Sequence, residues 1–350
     1  MKVKHIATAR RHQQISKILN LQPKIFKRMD SIIRQLKNSQ RILVVSHTNP
    51  DGDAIGSLIA TGLSLKTLNK KTILYNESPI PAVYRFLPEV HHVVRKIETA
   101  AYDLAVILDC SNLDRIGKAV SDVKQIPLIV NIDHHITNTR FGHIQLIDTS
   151  ACATSEIVYW LIKQMGVPLD KAIATAIYTG ILTDTGSFRF SNTNRAAFAI
   201  CQEMLDLGVD PYDISQHVYG TYSLGRIKLL NLALDSIEIS NNGKVSIMTL
   251  TRNMFDETHT QPEDGDGLIN YAKRIEDIKV AALIQEHHNG KGPSEGHNTY
   301  HVSLRSDGSV DVAAIASTFG GGGHSSAAGF NINSTLSEIK LIILNLANNI

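Results

Sequence analysis

Three apolar runs in this chain each stop at an acid or an imidazole. Pro127-Leu128-Ile129-Val130-Asn131-Ile132 runs into Asp133-His134-His135, Arg41-Ile42-Leu43-Val44-Val45-Ser46 into His47, and Leu104-Ala105-Val106-Ile107-Leu108 into Asp109. Near-continuous apolar runs of this length read as strands buried on both faces, which belong to parallel sheets, and such sheets place their sites at the carboxyl edge. The pattern therefore predicts an α/β fold, a doubly wound and largely parallel sheet, with one metal site assembled at that edge from distant parts of the chain.

The intervening segments fit this plan. Asn49-Pro50-Asp51-Gly52 is strong turn chemistry, and helical spacing runs from Asp53 to Leu68. Gly56 and Ser57, one turn in, are small enough to allow close packing on the sheet. Residues 143–147 read as an edge strand. Helical spacing follows over 155–165, 171–182 and 195–207, and the second of these leads into Asp184-Thr185-Gly186, a fourth acid beside a glycine stop.

At 350 residues the chain exceeds what one core usually holds. We expect an N-terminal extension over 1–25, a metal-binding domain over 26–218, a helical linker over 219–237 and a smaller C-terminal α+β domain over 238–350. In the last, strands are expected over 244–250, 280–285 and 300–305. The net charge of +2 argues against a broad basic face for long duplex nucleic acid, while permitting a local anion pocket. The basic N-terminus lacks the apolar core of a signal peptide, and no apolar run approaches membrane-spanning length, so a cytoplasmic protein is expected. Cys110, Cys152 and Cys201 show no CxxC spacing and read as reduced, packed side chains.

Oxygen and imidazole donors without thiolates suit Mn²⁺ or Mg²⁺ better than structural zinc. His47, Asp51 and Asp53 sit in a turn and helix start and can face two adjacent ions. Asp109 is placed to bridge them, and His134 and Asp184 to complete the ligand set of the second ion. Two ions about 3.5–4 Å apart can share a bridging hydroxide that attacks phosphorus in line. Taken singly, each aspartate is more often a helix cap or turn former; the joint pattern is what points to chemistry. His91-His92 and His287-His288 lack a preceding buried strand and acid, and His287, His288 and His297 would bind metal only incidentally.

Gly320-Gly321-Gly322-Gly323-His324 is the second signal. The run lacks the Lys-Ser/Thr of a P-loop, but its N–H groups can cradle a phosphate, with His324 and Arg305 as charged donors.

These segments together resemble the DHH phosphoesterase family, named for the triplet standing here as Asp133-His134-His135, and within it the NrnA-type nano-RNases and pAp phosphatases. The likeness spans about residues 30–350 and includes His47-x-x-x-Asp51-x-Asp53, Asp109, Asp184-Thr185-Gly186, Ser303-Leu304-Arg305-Ser306 and the glycine run with Ala327-Ala328-Gly329. It implies two Mn²⁺ ions, with Mg²⁺ or Co²⁺ as alternatives: one on His47, Asp51 and Asp109, the other on Asp53, Asp109, His134 and Asp184. It further implies that His135 contacts the scissile phosphate, and that Arg305, Gly320, Gly321, Gly322, Gly323 and His324 bind another phosphate or a terminal nucleotide. The expected substrates are short oligoribonucleotides, 3′-phosphoadenosine 5′-phosphate (pAp) and linear dinucleotides, with no membrane partner and a homodimer left open. Rival expectations are a family II-type inorganic pyrophosphatase and a non-catalytic nucleotide- or RNA-binding protein.

Overall fold

The computed structural model describes residues 23–97, 101–220, 222–287 and 298–346. Most of the N-terminal extension and the loop histidines His288 and His297 lie outside them. The chain forms two compact units that divide between Gly220 and Thr221.

The first unit opens with helix α1 (Pro23–Asn38), then strands β1 (Arg41–Ser46), β2 (Lys71–Tyr75), β3 (Val93–Val94), β4 (Leu104–Leu108), β5 (Ile129–Asp133) and β6 (Ile144–Ile147). They form one six-stranded sheet in the order β3-β2-β1-β4-β5-β6, parallel at every junction. Alternation divides each central strand between two cores. Ile42, Val44, Val106, Leu108, Val130 and Ile132 pack under the helices, while Leu43, Val45, Ala105 and Ile107 pack on the other face with Ile116 and Val123. Burial on both faces is why these strands read as unbroken apolar runs.

Helices α2 (Gly52–Thr67), α3 (Thr154–Met165), α4 (Lys171–Asp184) and α5 (Arg195–Asp206) lie on the first of these faces. Gly56 serves a different purpose from the one expected. A Cβ there would lie 2.4 Å from the Ala176 carbonyl oxygen and 3.1 Å from Gly180 N, so the close approach is between α2 and α4, not between α2 and the sheet. Gly56→Ala is expected to lower stability by about 1–3 kcal/mol, because a backbone carbonyl has no rotamer to retreat into. Urea unfolding measures this, and a variant as stable as the parent would contradict the packing.

The second unit holds helix α6 (Leu224–Asp235), strands β7 (Glu238–Ile239) and β8 (Val245–Leu250), helix α7 (Arg252–Thr258), strands β9 (Val280–Glu286) and β10 (Asn298–Ser306), helix α8 (Val312–Ser317), strands β11 (Gly322–His324) and β12 (Ala327–Ser334), and helix α9 (Leu336–Leu346). The sheet order is β11-β12-β10-β9-β8-β7, with only β8 and β9 parallel. The segment expected as a linker is part of this unit, since α6 buries Leu229 and Ala233, one turn apart, against Met248, Leu250 and Phe255. Strand β12 was not expected from its Ala, Gly and Asn content. It nonetheless sends Ala328 and Phe330 into the core at period two.

Part of the glycine run, read from sequence as a phosphate cradle, is a strand. Gly322 to His324 pair with β12 as an edge strand, through Gly322–Gly329, Gly323–Ala328 and His324–Ala327. A Cβ on Gly321 would lie 2.2 Å from the Gly329 carbonyl oxygen, so close approach to β12 requires glycine there. No helix among the described residues is long and apolar enough to cross a membrane.

Candidate metal centre

The central neighbours β1, β4 and β5 end level. Register pairs Ser46 with Leu108 and Leu108 with Ile132, so His47, Asp109 and Asp133 leave the sheet side by side. Asp109 does so with a left-handed backbone, φ 58°, which disfavours a non-glycine residue by about 1–2 kcal/mol. Its N–H is fixed to Ile132 O at 3.0 Å. Strain of this kind persists only where the surroundings over-determine the conformation.

Two aspartates come from the start of α2. Asp51 is its N-cap, with Oδ1 accepting from the N–H groups of Asp53 and Ala54 at 3.1 and 3.0 Å. Asp53 reaches across to α3, where Oδ2 accepts from Thr154 N at 2.6 Å and Oδ1 from Ser155 N at 2.8 Å. The residue at the N-cap position of α3, Ala153, has no side chain able to do this. Asp184 is the last residue of α4, which runs two residues beyond the expected end.

These side chains converge. His47 Nε2 lies 3.5 Å from Asp109 Oδ2 and 4.0 Å from Asp51 Oδ1. His134 Nε2 lies 3.6 Å from Asp184 Oδ2 and 3.8 Å from Asp109 Oδ1. Ligand atoms of His47, Asp51 and Asp109 fall within 4.8 Å of one another, as do those of Asp53, His134 and Asp184, and of Asp109, Asp133 and His135. Asp109 thus offers one carboxylate oxygen to each side. In the third group His135 Nδ1 is bonded to Asp133 Oδ1 at 2.7 Å, which makes Asp133 a positioner of His135 in this arrangement.

The histidine rings are oriented by carbonyls. His47 Nδ1 faces Thr48 O at 2.8 Å, and His134 Nδ1 faces Ala151 O at 3.3 Å. A carbonyl only accepts, so His134 Nδ1 carries a proton and its Nε2, directed at Asp109 and Asp184, is the nitrogen a metal would take on displacing a proton. His47 directs Nε2 at Asp109 in the same way, with the Arg115 guanidinium 3.2 Å from its Nδ1.

Electrostatics argue for cations here. Burial, then the charge of Asp109, pushes the Asp53 carboxyl up to about 7. Asp184 is raised well above the carboxylate range by burial and by Asp53, Asp51 and Asp109, against the opposing pull of His134. His134 is pushed up to about 9: burial alone would lower it, but Asp184, Asp109 and Asp53 outweigh that. Asp109 is held below the usual range although burial opposes this, because His47 hydrogen-bonds it and His135, His47 and His134 surround it. Buried carboxylates driven towards protonation beside imidazoles driven the same way are what a site for divalent cations looks like without them. The donors are all oxygen and nitrogen. Burial raises the thiols of Cys110 and Cys152, so neither supplies a thiolate, and all three cysteines are unbridged and buried.

Several supports were missed from sequence. Asn192 Nδ2 donates to Asp184 Oδ2 at 3.0 Å and to Cys152 O at 2.8 Å. Asn138 Nδ2 donates to Asp133 Oδ2 at 2.5 Å. Asn76 Nδ2 ties His47 O at 2.7 Å, and Thr154 Oγ1 donates to Asp109 Oδ1 at 2.8 Å. Thr154-Ser155 ahead of an apolar helical run was a readable helix-start signal; the asparagines carried none. His91 and His92 take no part in these groups, and His92 pairs instead with Glu89.

In the second unit Arg305 pairs in register with Ala327, and Ala327 with His324. Residues in one row across a sheet share a face, so Arg305 and His324 flank a small alanine on the same side.

Residues 41–181 match the DHH family, N-terminal domain, and residues 242–348 match the DHHA1 domain. The bifunctional oligoribonuclease and PAP phosphatase NrnA of Thermus thermophilus is 32% identical over 312 residues, covering 88% of this chain and 89% of that protein. Its Bacillus subtilis namesake is 27% identical over 310 residues, covering 87% and 93%. A crystal structure of an exopolyphosphatase-related protein from Bacteroides fragilis matches with a TM-score of 0.81 at 28% identity, over 91% of this chain and 96% of that one.

Proposed function

The chain belongs to the DHH phosphoesterase family, its DHH domain followed by a DHHA1 domain, and from that premise we propose that it hydrolyses short RNA oligomers and pAp, with linear dinucleotides as further substrates. The observation that carries the reading is the pair of oxygen-and-nitrogen donor groups joined through the two oxygens of Asp109. His47, Asp51 and Asp109 would hold one divalent cation and Asp53, Asp109, His134 and Asp184 the other, with Mn²⁺ suiting this mixed set. Bound there, the cations would supply Lewis acidity that activates water and offsets charge on phosphorus.

The protein's own groups do the rest. His135, held by Asp133, donates a hydrogen bond to a phosphate oxygen as charge develops on it. Arg305 and His324 bind a second phosphate of the substrate, and the N–H groups of the glycine run assist. The net charge of +2 favours short substrates over long polyanions. The oligoribonuclease and PAP phosphatase activities named for the Thermus and Bacillus relatives support the same substrates. Three buried, unbridged cysteines suit the reducing cytoplasm.

The test is hydrolysis of a dinucleotide, a long single-stranded RNA, pAp and pyrophosphate, each with Mn²⁺ and with chelator. The dinucleotide and pAp are expected to turn over only with Mn²⁺, and the other two poorly. Preference for pyrophosphate, or binding without turnover, would replace the reading. In the same assay Arg305→Ala is expected to raise KM by about tenfold or more with a smaller change in kcat, since it removes a charged hydrogen bond to the substrate. An unchanged KM would remove Arg305 from the binding surface.

A further inference from the structure

Deepening the phosphoesterase reading, on which it rests, we propose that Phe190 and Arg189 form a nucleobase subsite beside Asp184. Asp184 ends α4, and the chain then makes an excursion that returns to the same carboxylate. Asn192 Nδ2 donates to the carbonyl oxygen of Asp184 at 3.1 Å and to its Oδ2 at 3.0 Å. The intervening loop is therefore closed at both ends on one side chain of the metal centre.

That loop is strained and rigid. Gly186, Ser187 and Phe188 are consecutive left-handed residues, with φ of 57°, 60° and 62°. Thr185 holds them there. Its Oγ1 accepts from Phe188 N at 3.1 Å, and its carbonyl accepts from Arg189 N at 2.9 Å and Phe190 N at 3.0 Å. Single left-handed residues are tolerated in turns; a run of three, two of them not glycine, marks a conformation retained for a purpose.

What the loop presents is an aromatic ring and a cation. Phe188 packs against the main core and stacks on Phe198 at 5.1 Å. Phe190 joins none of the cores and is 46% exposed. Its ring is nevertheless seated, since a Cβ on Gly186 would lie 2.4 Å from it. Arg189 Nε donates to Gly186 O at 2.6 Å, and no carboxylate pairs with Arg189 among the described residues. A fixed, half-exposed ring next to an unneutralised guanidinium, on a loop tied to a phosphate-processing centre, fits a base that stacks while its phosphodiester meets the cation.

The experiment compares the parent with Phe190→Ala and Phe190→Trp on a dinucleotide and on its abasic analogue, with Mn²⁺. Phe190→Ala is expected to raise KM for the dinucleotide about tenfold, to move the abasic analogue far less, and Phe190→Trp is expected to restore the parental KM. Equal shifts on both substrates, or none, would overturn the subsite. Fluorescence gives a readout independent of turnover. The chain has a single tryptophan, so AMP titrated in chelator should quench the emission that Phe190→Trp adds over the parent. Absence of quenching would overturn the subsite. Parental failure to hydrolyse any phosphoester, with quenching intact, would sink the enzymatic reading and leave the base-binding surface standing.

Discussion

Asp109→Ala is expected to lower turnover of every phosphoester substrate by about a thousandfold or more, with the fold intact. Among the described residues Asp109 is the carboxylate with an oxygen towards each donor group, 3.5 Å from His47 Nε2 on one side and 3.8 Å from His134 Nε2 on the other. Its loss removes a ligand from both groups at once, whereas loss of Asp51 or Asp184 affects one. The fold should survive because the side chain is also a source of repulsion, adding to the upward shift of Asp53 and of Asp184. Alanine at φ 58° keeps the backbone strain, so Asp109→Gly should be equally inactive and more stable by about 1 kcal/mol. Single-turnover rates and urea midpoints for the two variants check both statements. A variant retaining a tenth of parental turnover would rule Asp109 out as the shared ligand.

The second large effect is thermal. Two cations, each at about a hundred times its dissociation constant, stabilise by about 5 kcal/mol together, or roughly 10 °C or more in Tm for a unit of this size. The increment should widen from pH 6 to pH 9. Asp53, at about 7, contributes stability that is present below its usual value near 4 and is lost as pH rises through 7. His134, at about 9, contributes stability that is complete below about 6.5 and is lost as pH rises through 9. The raised His47 has the same sign. Asp109, held low, contributes equally across this range. The metal-free protein therefore weakens with rising pH, while metal binding, which displaces those protons, strengthens. Thermal melts with Mn²⁺ and with chelator at several pH values measure the gap, and a gap that narrows towards pH 9 would contradict the assigned ligands.

The parallel sheet was legible because strands buried on both faces leave runs such as Ile42–Val45 and Leu104–Leu108 with no polar interruption. The converging acids and imidazoles were legible because each follows such a run, opens a helix with turn chemistry before it or, for Asp184, closes a helix beside a glycine stop. The supports were not. Thr154 and Ser155 act on Asp53 through backbone N–H groups that every residue carries, and Asn192 and Asn76 are neutral amides whose partners lie far away in sequence or behind a loop. Strand β12 was hidden because alanine, glycine and asparagine favour a strand only when the neighbouring strands supply the pairing. The purpose of Gly56 depended on a carbonyl of α4 about 120 residues on, which no local pattern reports.

The grip of Asp53 on the first turn of α3 has a consequence for descent. A lineage that gave up catalysis could let Asp109 or Asp184 drift, but selection for a folded protein would go on guarding Asp53. A descendant that keeps this one aspartate and has lost the others would pass for a half-ruined enzyme, when what survives in it is a clasp between two helices.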